Sequence, residues 1–282
     1  MSFPDDAAAI PFNTLSMVAG SHFNLHPRVG LVLAALAALA GCDAKLNVGE
    51  WCEQEASAPP DAGDGVVIPW STGFEDRFCD YTLLAGYCYS DPHASFAIVT
   101  SPVHSGRYAA AFSVNASDLN ALQSRCVRQG VLPTAAYYGA WYYVPALASA
   151  AGNWNLWFFQ GGDAAGAPLH PLWNVTLVNR SNGDLGLIAY TPLNGKVYPA
   201  TPATSIPVDT WFHIEFFLKR ARDTTGEVAL YQDGVLLFDI TGLITDDSSF
   251  GQWYVGNLVG SLALTPPAST LYVDDISISA TQ

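Results

Sequence analysis

The chain concentrates flat rings with polar edges in its middle third. Tyr137, Tyr138, Trp141, Tyr142 and Tyr143 crowd one short run, and Trp154 and Trp157 follow soon after. Such rings suit stacking on sugars, whose axial C–H faces are apolar while their hydroxyls need hydrogen bonds. One sheet face cannot bury so many of them. Tyr142, Trp154 and Trp157 are therefore read as lining a saccharide groove. Around them lie groups that hold anions or move protons. Arg125 and Arg128 flank Cys126 in QSRCVRQG, Gln160 ends WNLWFFQ, and Tyr190, His213 and Tyr254 sit in later apolar runs. Arg and Gln pair with carboxylates and hydroxyls. His and Tyr serve as general acids or bases once burial tunes them. Gly-x-Ser-x-Gly and phosphate-binding loops are absent from the sequence.

Composition narrows the partners. Lys and Arg total 11 against 25 Asp and Glu, a net charge of -14. Nucleic-acid binding needs clustered cations, so no nucleic-acid partner is expected. Half the residues are hydrophobic and only 13% are charged, which excludes a disordered chain.

The N-terminal region reads as an address. Val29–Gly41 is an uninterrupted run of apolar and small residues behind Arg28, too short to span a bilayer but suited to a secretory signal. It closes on Leu39-Ala40-Gly41-Cys42, which resembles the lipobox of bacterial lipoproteins. That resemblance implies cleavage before Cys42 and a diacylglycerol on its sulfur; a plain secretory signal with a chance Cys is the alternative. Met17 would give a signal of ordinary length. The expected organisation is a signal over 1–41, a lipidated Cys42 with a polar tether to residue 65, and one domain over 66–282. The protein would then be exported and held to a membrane by its lipid. Cys52, Cys79, Cys88 and Cys126 remain, an even number that suggests two disulfides with three connectivities open. Cys79 and Cys88 are close enough to close a small loop.

The elements that must position these groups are strands. Short runs rich in aromatic and β-branched residues recur from Val66 to Ile278, with Gly, Pro, Asn or Asp in nearly every gap. In Trp211–Lys219, Phe212, Ile214, Phe216 and Leu218 share one face, while His213, Glu215 and Lys219 share the other. Asp233-Gly234 supplies the positive φ angles of a tight hairpin. Residues 116–124 are read as one short helix. The fold class is all-β, a two-sheet antiparallel jelly-roll sandwich.

Three stretches carry a family resemblance over residues 70–280. His104-Ser105-Gly106-Arg107-Tyr108-Ala109 resembles a strand entry of carbohydrate-active jelly rolls. Asp209-Thr210-Trp211-Phe212-His213-Ile214-Glu215, with Gly226 and Leu230-Tyr231-Gln232-Asp233-Gly234, resembles the core of concanavalin A-like and laminin G-like domains. Trp253-Tyr254-Val255-Gly256-Asn257 and Leu271-Tyr272-Val273-Asp274-Asp275-Ile276 resemble the closing strands of heparin lyase I-like polysaccharide lyases.

The resemblance implies a polysaccharide partner and β-elimination at a uronate. Its carboxylate is neutralised by Arg or Gln, its C5 proton is abstracted, and the leaving oxygen is protonated. Arg128 and Gln160 fit the first task, His213 the second, and Tyr190 or Tyr254 the third; Arg125 would bind substrate. It also implies a structural Ca²⁺ between Glu75 and Asp274, where the first and last strands meet and oxygens near Ser105 and Gly106 complete the shell. Neither the R-x-E-x-R and Q-x-H signatures of alginate lyases nor the E-x-D-x-x-E strand of glycan hydrolases is present. A non-catalytic glycan-binding lipoprotein therefore stays open, as does a purely structural envelope protein.

Overall fold

The computed structural model describes residues 69–82, 86–119, 121–150, 154–163, 167–246, 248–260, 262 and 264–282. The signal, Cys42, the tether and Cys52 lie outside them. In chain order the elements are β1 (Trp70–Thr72), the one-turn helix α1 (Cys79–Thr82), β2 (Tyr87–Ser90), β3 (Ala94–Val99), β4 (Ala109–Asn115) and β5 (Leu122–Gly130). There follow β6 (Ala135–Tyr143), β7 (Trp154–Gly162), β8 (His170–Asn179), β9 (Leu185–Thr191) and β10 (Lys196–Pro199). The chain closes with β11 (Trp211–Lys219), β12 (Gly226–Gln232), β13 (Val235–Leu243), β14 (Phe250–Val259) and β15 (Ala268–Ser279).

These strands form two antiparallel sheets. An eight-stranded sheet runs β13-β12-β11-β6-β15-β4-β3, with β1 added on β15; a seven-stranded sheet runs β10-β9-β8-β7-β14-β5-β2. The expected all-β jelly roll is what forms. Asp233 and Gly234 adopt positive φ angles of 51° and 76° in the β12–β13 hairpin. Phe212, Ile214, Phe216 and Leu218 of β11 are fully buried, as the alternation requires.

The core is the seam between the sheets, and rings interlock across it. Tyr138 of β6 meets Phe159 and Trp253 of the other sheet edge-on, at ring-centroid distances of 5.0 and 4.9 Å. Phe216 meets Phe159 at 5.6 Å and Trp173 at 5.9 Å. Each such side chain contributes roughly 1.5–3 kcal/mol by leaving water.

Two local expectations are corrected. Residues 116–119 and 121 are irregular and residues 122–124 already belong to β5, so the described residues there form no helix. The strand is polar, so it lacks an apolar stripe to announce it, yet it pairs with both β14 and β2. The small Cys79–Cys88 loop does not form either, because Cys88 lies directly opposite Cys126 in the β2–β5 ladder and the two are bonded. Cys79 is itself disulfide-bonded.

Glu75 and Asp274 do come to one corner, around the turn at residues 104–108. Glu75 accepts hydrogen bonds from the Arg107 and Tyr108 amides (2.7 and 3.1 Å). Asp274 accepts them from His104, Ser105 and Asp275 (3.0, 3.2 and 2.8 Å). The turn thus offers N–H groups where a cation would need oxygens. Among the described residues no group of three or more His, Cys, Asp or Glu side chains could hold a metal ion. The donor set does not fit the expected Ca²⁺.

Three outcomes follow from this architecture. The Cys88–Cys126 bond closes a loop between residues 38 apart, so replacing both with Ser should lower the unfolding free energy by about 2–4 kcal/mol in urea titrations. Burial raises the Asp274 carboxyl to about 6, against the pull of its amide donors. A carboxyl raised in the folded state favours the protonated form, so its contribution is complete in acid and is lost as the pH climbs through about 6. Asp274→Asn should flatten that decline in stability measured over roughly pH 4–7. Chelation of divalent ions should leave the thermal midpoint unchanged; a drop reversed by added Ca²⁺ would show a site that the amides conceal.

Candidate active site on the seven-stranded sheet

The outer face of the seven-stranded sheet carries three transverse rows of side chains, set by strand register. The central row runs Tyr190, Asn174, Phe158, Tyr254, Val127 and Tyr87 from β9 to β2. On one side of it, Gln160, Gln252 and Gln129 align across β7, β14 and β5. On the other side, Gly256, Arg125 and Tyr89 align across β14, β5 and β2. The alternate residues of the same strands, among them Cys126, Trp157, Phe159, Trp253 and Val255, point into the core and are buried.

Tyr254 is the hub. Its phenol lies between two amide oxygens, Gln160 Oε1 at 2.9 Å and Gln252 Oε1 still closer. Gln252 Nε2 donates to Gln129 Oε1 (2.8 Å), which turns the Gln252 oxygen toward the phenol. Burial, followed by Tyr87 and Tyr89, pushes the Tyr254 hydroxyl well above the ordinary tyrosine range, while Arg125 pulls the other way. Tyr254 is thus a neutral hydrogen-bond donor at neutral pH.

Arg125 flanks the hub. Its guanidinium lies 5.7 Å from the Tyr254 ring centroid and 5.6 Å from that of Phe158. It is 1% exposed, and its Nε and Nη2 have no hydrogen-bond partner among the described residues. Burial pulls its pKa down, yet an Arg stays charged at any working pH. Gly256 makes room for it: a Cβ there would come within 2.4 Å of Ser124 O and 3.3 Å of Arg125 Cγ, and its φ of +143° suits glycine alone. Two buried guanidinium nitrogens without an acceptor are set up for an anion.

The structure brings together some expected residues and separates others. Arg125, Gln160 and Tyr254 meet. Tyr190 shares their face but stands three strands away, roughly 14 Å by strand spacing. Arg128 points the opposite way from Arg125, with its guanidinium 4.3 Å over the Trp70 ring, because residues three apart in a strand face opposite sides. Tyr142, Trp154 and Trp157 are core residues with 0–2% exposure, and the Tyr142 hydroxyl donates to Leu156 O (3.1 Å). They do not line the groove. His213 stands on the outer face of the other sheet, with the core between it and Tyr254, and burial lowers its pKa. Sequence reasoning missed Tyr87, Tyr89, Gln129, Phe158, Asn174 and Gln252. The alternation Arg125, Val127, Gln129 against Cys126, Arg128 was the available signal once β5 is read as a strand.

No family model matches the chain, and no curated protein matches it. Solved structures do. The endo-β-1,4-glucuronan lyase of the fungus Trichoderma reesei aligns with a TM-score of 0.51 at 16% identity, over 69% of this chain and 90% of that one. Alginate lyase Aly36B aligns with 0.51 at 12% identity, over 77% and 99%. The marine PL-14 alginate lyase from Aplysia kurodai aligns with 0.50 at 16% identity, over 74% and 97%. Identities this low speak for architecture alone: the chain has the two-sheet jelly-roll fold that these polysaccharide lyases have.

Proposed function

We propose that the protein is a polysaccharide lyase that cleaves a uronate-containing glycan by β-elimination on the outer face of the seven-stranded sheet. The observation that carries this reading is the buried Arg125, whose Nε and Nη2 lack a protein acceptor and whose guanidinium packs against Tyr254. A uronate carboxylate supplies the missing anion, and neutralising it acidifies the C5 proton. The rows contain no histidine and no carboxylate, so proton transfer falls to a tyrosine, and Tyr254 is the one whose ring packs against the Arg125 guanidinium. Its phenolate takes the C5 proton, the C4–O bond breaks as the C4–C5 double bond forms, and the same phenol returns the proton to the leaving oxygen. Gln160 and Gln252 hold the phenol in place, and Phe158, Tyr87 and Tyr190 offer rings along the groove. The fold shared with alginate and glucuronan lyases supports the same substrate class.

A specific observation favours a second reading. The raised Tyr254 pKa leaves little phenolate at neutral pH, which suits a glycan-binding protein that does no chemistry. Export with a lipid anchor at Cys42 is the cellular setting we infer, and the Cys88–Cys126 bond supports it, since such bonds persist in oxidising compartments.

Three outcomes test this reading. Polyuronates should yield the ultraviolet absorbance of an unsaturated uronate, with the rate still rising through alkaline pH because the hub phenol is pushed up. Tyr254→Phe should cut kcat by about 10²–10⁴, and Arg125→Ala should cut kcat/KM by about 10²–10³, with the fold of both checked by circular dichroism. No product from any polyuronate, with binding retained, would establish the glycan-binding alternative. Mass spectrometry of the membrane-extracted protein should find a diacylglycerol on Cys42, lost in Cys42→Ser.

A further inference from the structure

The eight-stranded sheet has an outer face that the reading above does not use, and its side chains are arranged in register like those of the other sheet. Trp211, Tyr143 and Tyr272 form one row across β11, β6 and β15, with ring centroids 5.5 and 5.8 Å apart. His213 and Trp141 form the next, at 5.2 Å, and His104 from the turn before β4 stacks on the Trp141 ring at 3.7 Å. All six rings are half-buried rather than enclosed. The third row is polar: Glu215, Gly139 and Ser277. Beyond it rings resume, with Tyr137 against Phe217 at 4.8 Å and against Tyr231 at 6.5 Å.

The polar row is a notch. Gly139 has no side chain, and a Cβ there would come within 2.9 Å of Ser277 Oγ and 3.1 Å of His213 Nε2, so those two groups lean over its floor. Glu215 stands on the third side. It is 9% exposed, and its Oε1 has no hydrogen-bond partner among the described residues. Gln282 lies within hydrogen-bonding reach of the same carboxylate. A buried carboxylate oxygen without a donor is costly unless something donates to it.

We propose that this face is a second saccharide-binding surface, built for an uncharged glycan chain. Two adjacent ring rows, a donor–acceptor notch and a further pair of rings lie along the strands, and a sugar chain presents C–H faces to such rings and hydroxyls to such a notch. A protein partner fits less well, since the cores of protein interfaces are depleted in charge. The sign of the surface selects among glycans. Asp209 accepts from Tyr143, Asp233 from the His213 amide (2.8 Å), and Asp275 binds both His104 (2.6 Å) and Ser105 (2.9 Å). With Glu215 these carboxylates repel a polyuronate, whereas hydroxyls can donate to them. Lys219 sits at the far end of β11, past Phe217.

Isothermal titration of the full chain with a soluble neutral β-glucan, an arabinoxylan and a polyuronate tests the proposal. At least one neutral glycan should bind, with affinity about tenfold weaker in Trp211→Ala and weakened in Glu215→Gln, while Tyr254→Phe leaves it unchanged. The Tyr254→Phe arm separates this surface from the other face. Unchanged neutral-glycan binding in both Trp211→Ala and Glu215→Gln would overturn it, as would no neutral-glycan binding at all. So would polyuronate binding lost in Trp211→Ala, or a wild-type dimer that Trp211→Ala dissociates. If Trp211→Ala fails to fold by circular dichroism, Glu215→Gln decides.

Discussion

An antiparallel strand has two faces and no third, and in a two-sheet sandwich only one of them meets the core. Every chemical property of this molecule is sorted by that constraint. The aromatic surplus of β6 divides residue by residue: Tyr138 and Tyr142 interlock with Phe159, Trp157 and Trp253 inside, while Tyr137, Trp141 and Tyr143 emerge on the outer side of the eight-stranded sheet. The seam between the sheets holds the fold together because large rings from both sides fill it. The outer faces are then free to carry polar and ionisable groups in register.

Strand β5 shows the same sorting applied to charge. Arg125 and Arg128 flank one cysteine and are both nearly excluded from water, yet their surroundings differ. Arg128 is covered by the Trp70 ring on the core side, near Tyr81. Arg125 packs against the Phe158 and Tyr254 rings on the outer side and keeps nitrogen donors unused. Burying a charge is expensive unless something compensates, and ring faces compensate only in part. The Cys88–Cys126 bond ties β2, with Tyr87 and Tyr89, to this strand, so a covalent link holds Tyr89 in register beside Arg125.

The two outer faces differ in the electrostatics they present. One places a guanidinium and a ladder of amides around a phenol that burial keeps neutral. The other places carboxylates and imidazoles among tryptophan and tyrosine rings. On the proposed readings, one face would hold a neutral glycan while the other acts on a uronate glycan. Neither face borrows residues from its counterpart, because the core separates them.

Sequence alone determined the architecture: recurrent β-branched and aromatic runs, the alternation of Trp211–Lys219 and the Asp233-Gly234 hairpin are local signals, and local sterics and burial set them. It also singled out Arg125, Gln160 and Tyr254, since few residues in so apolar a chain can bind an anion or carry a proton. Which side of a strand faces the core is not local. Trp154 and Trp157 look as fit for a sugar as Trp141 and Trp211, and only the opposing sheet decides that the first pair is buried. His213 alternates correctly out of the core, yet it belongs to the wrong sheet to meet Tyr254. β5 went unread because its polar residues lack an apolar stripe, and pairing with β14 and β2 supplied what the pattern lacked. Register between distant strands, which aligns Gln160 with Gln252 and Arg125 with Gly256, arises from hydrogen-bond ladders that exist only once the chain has folded.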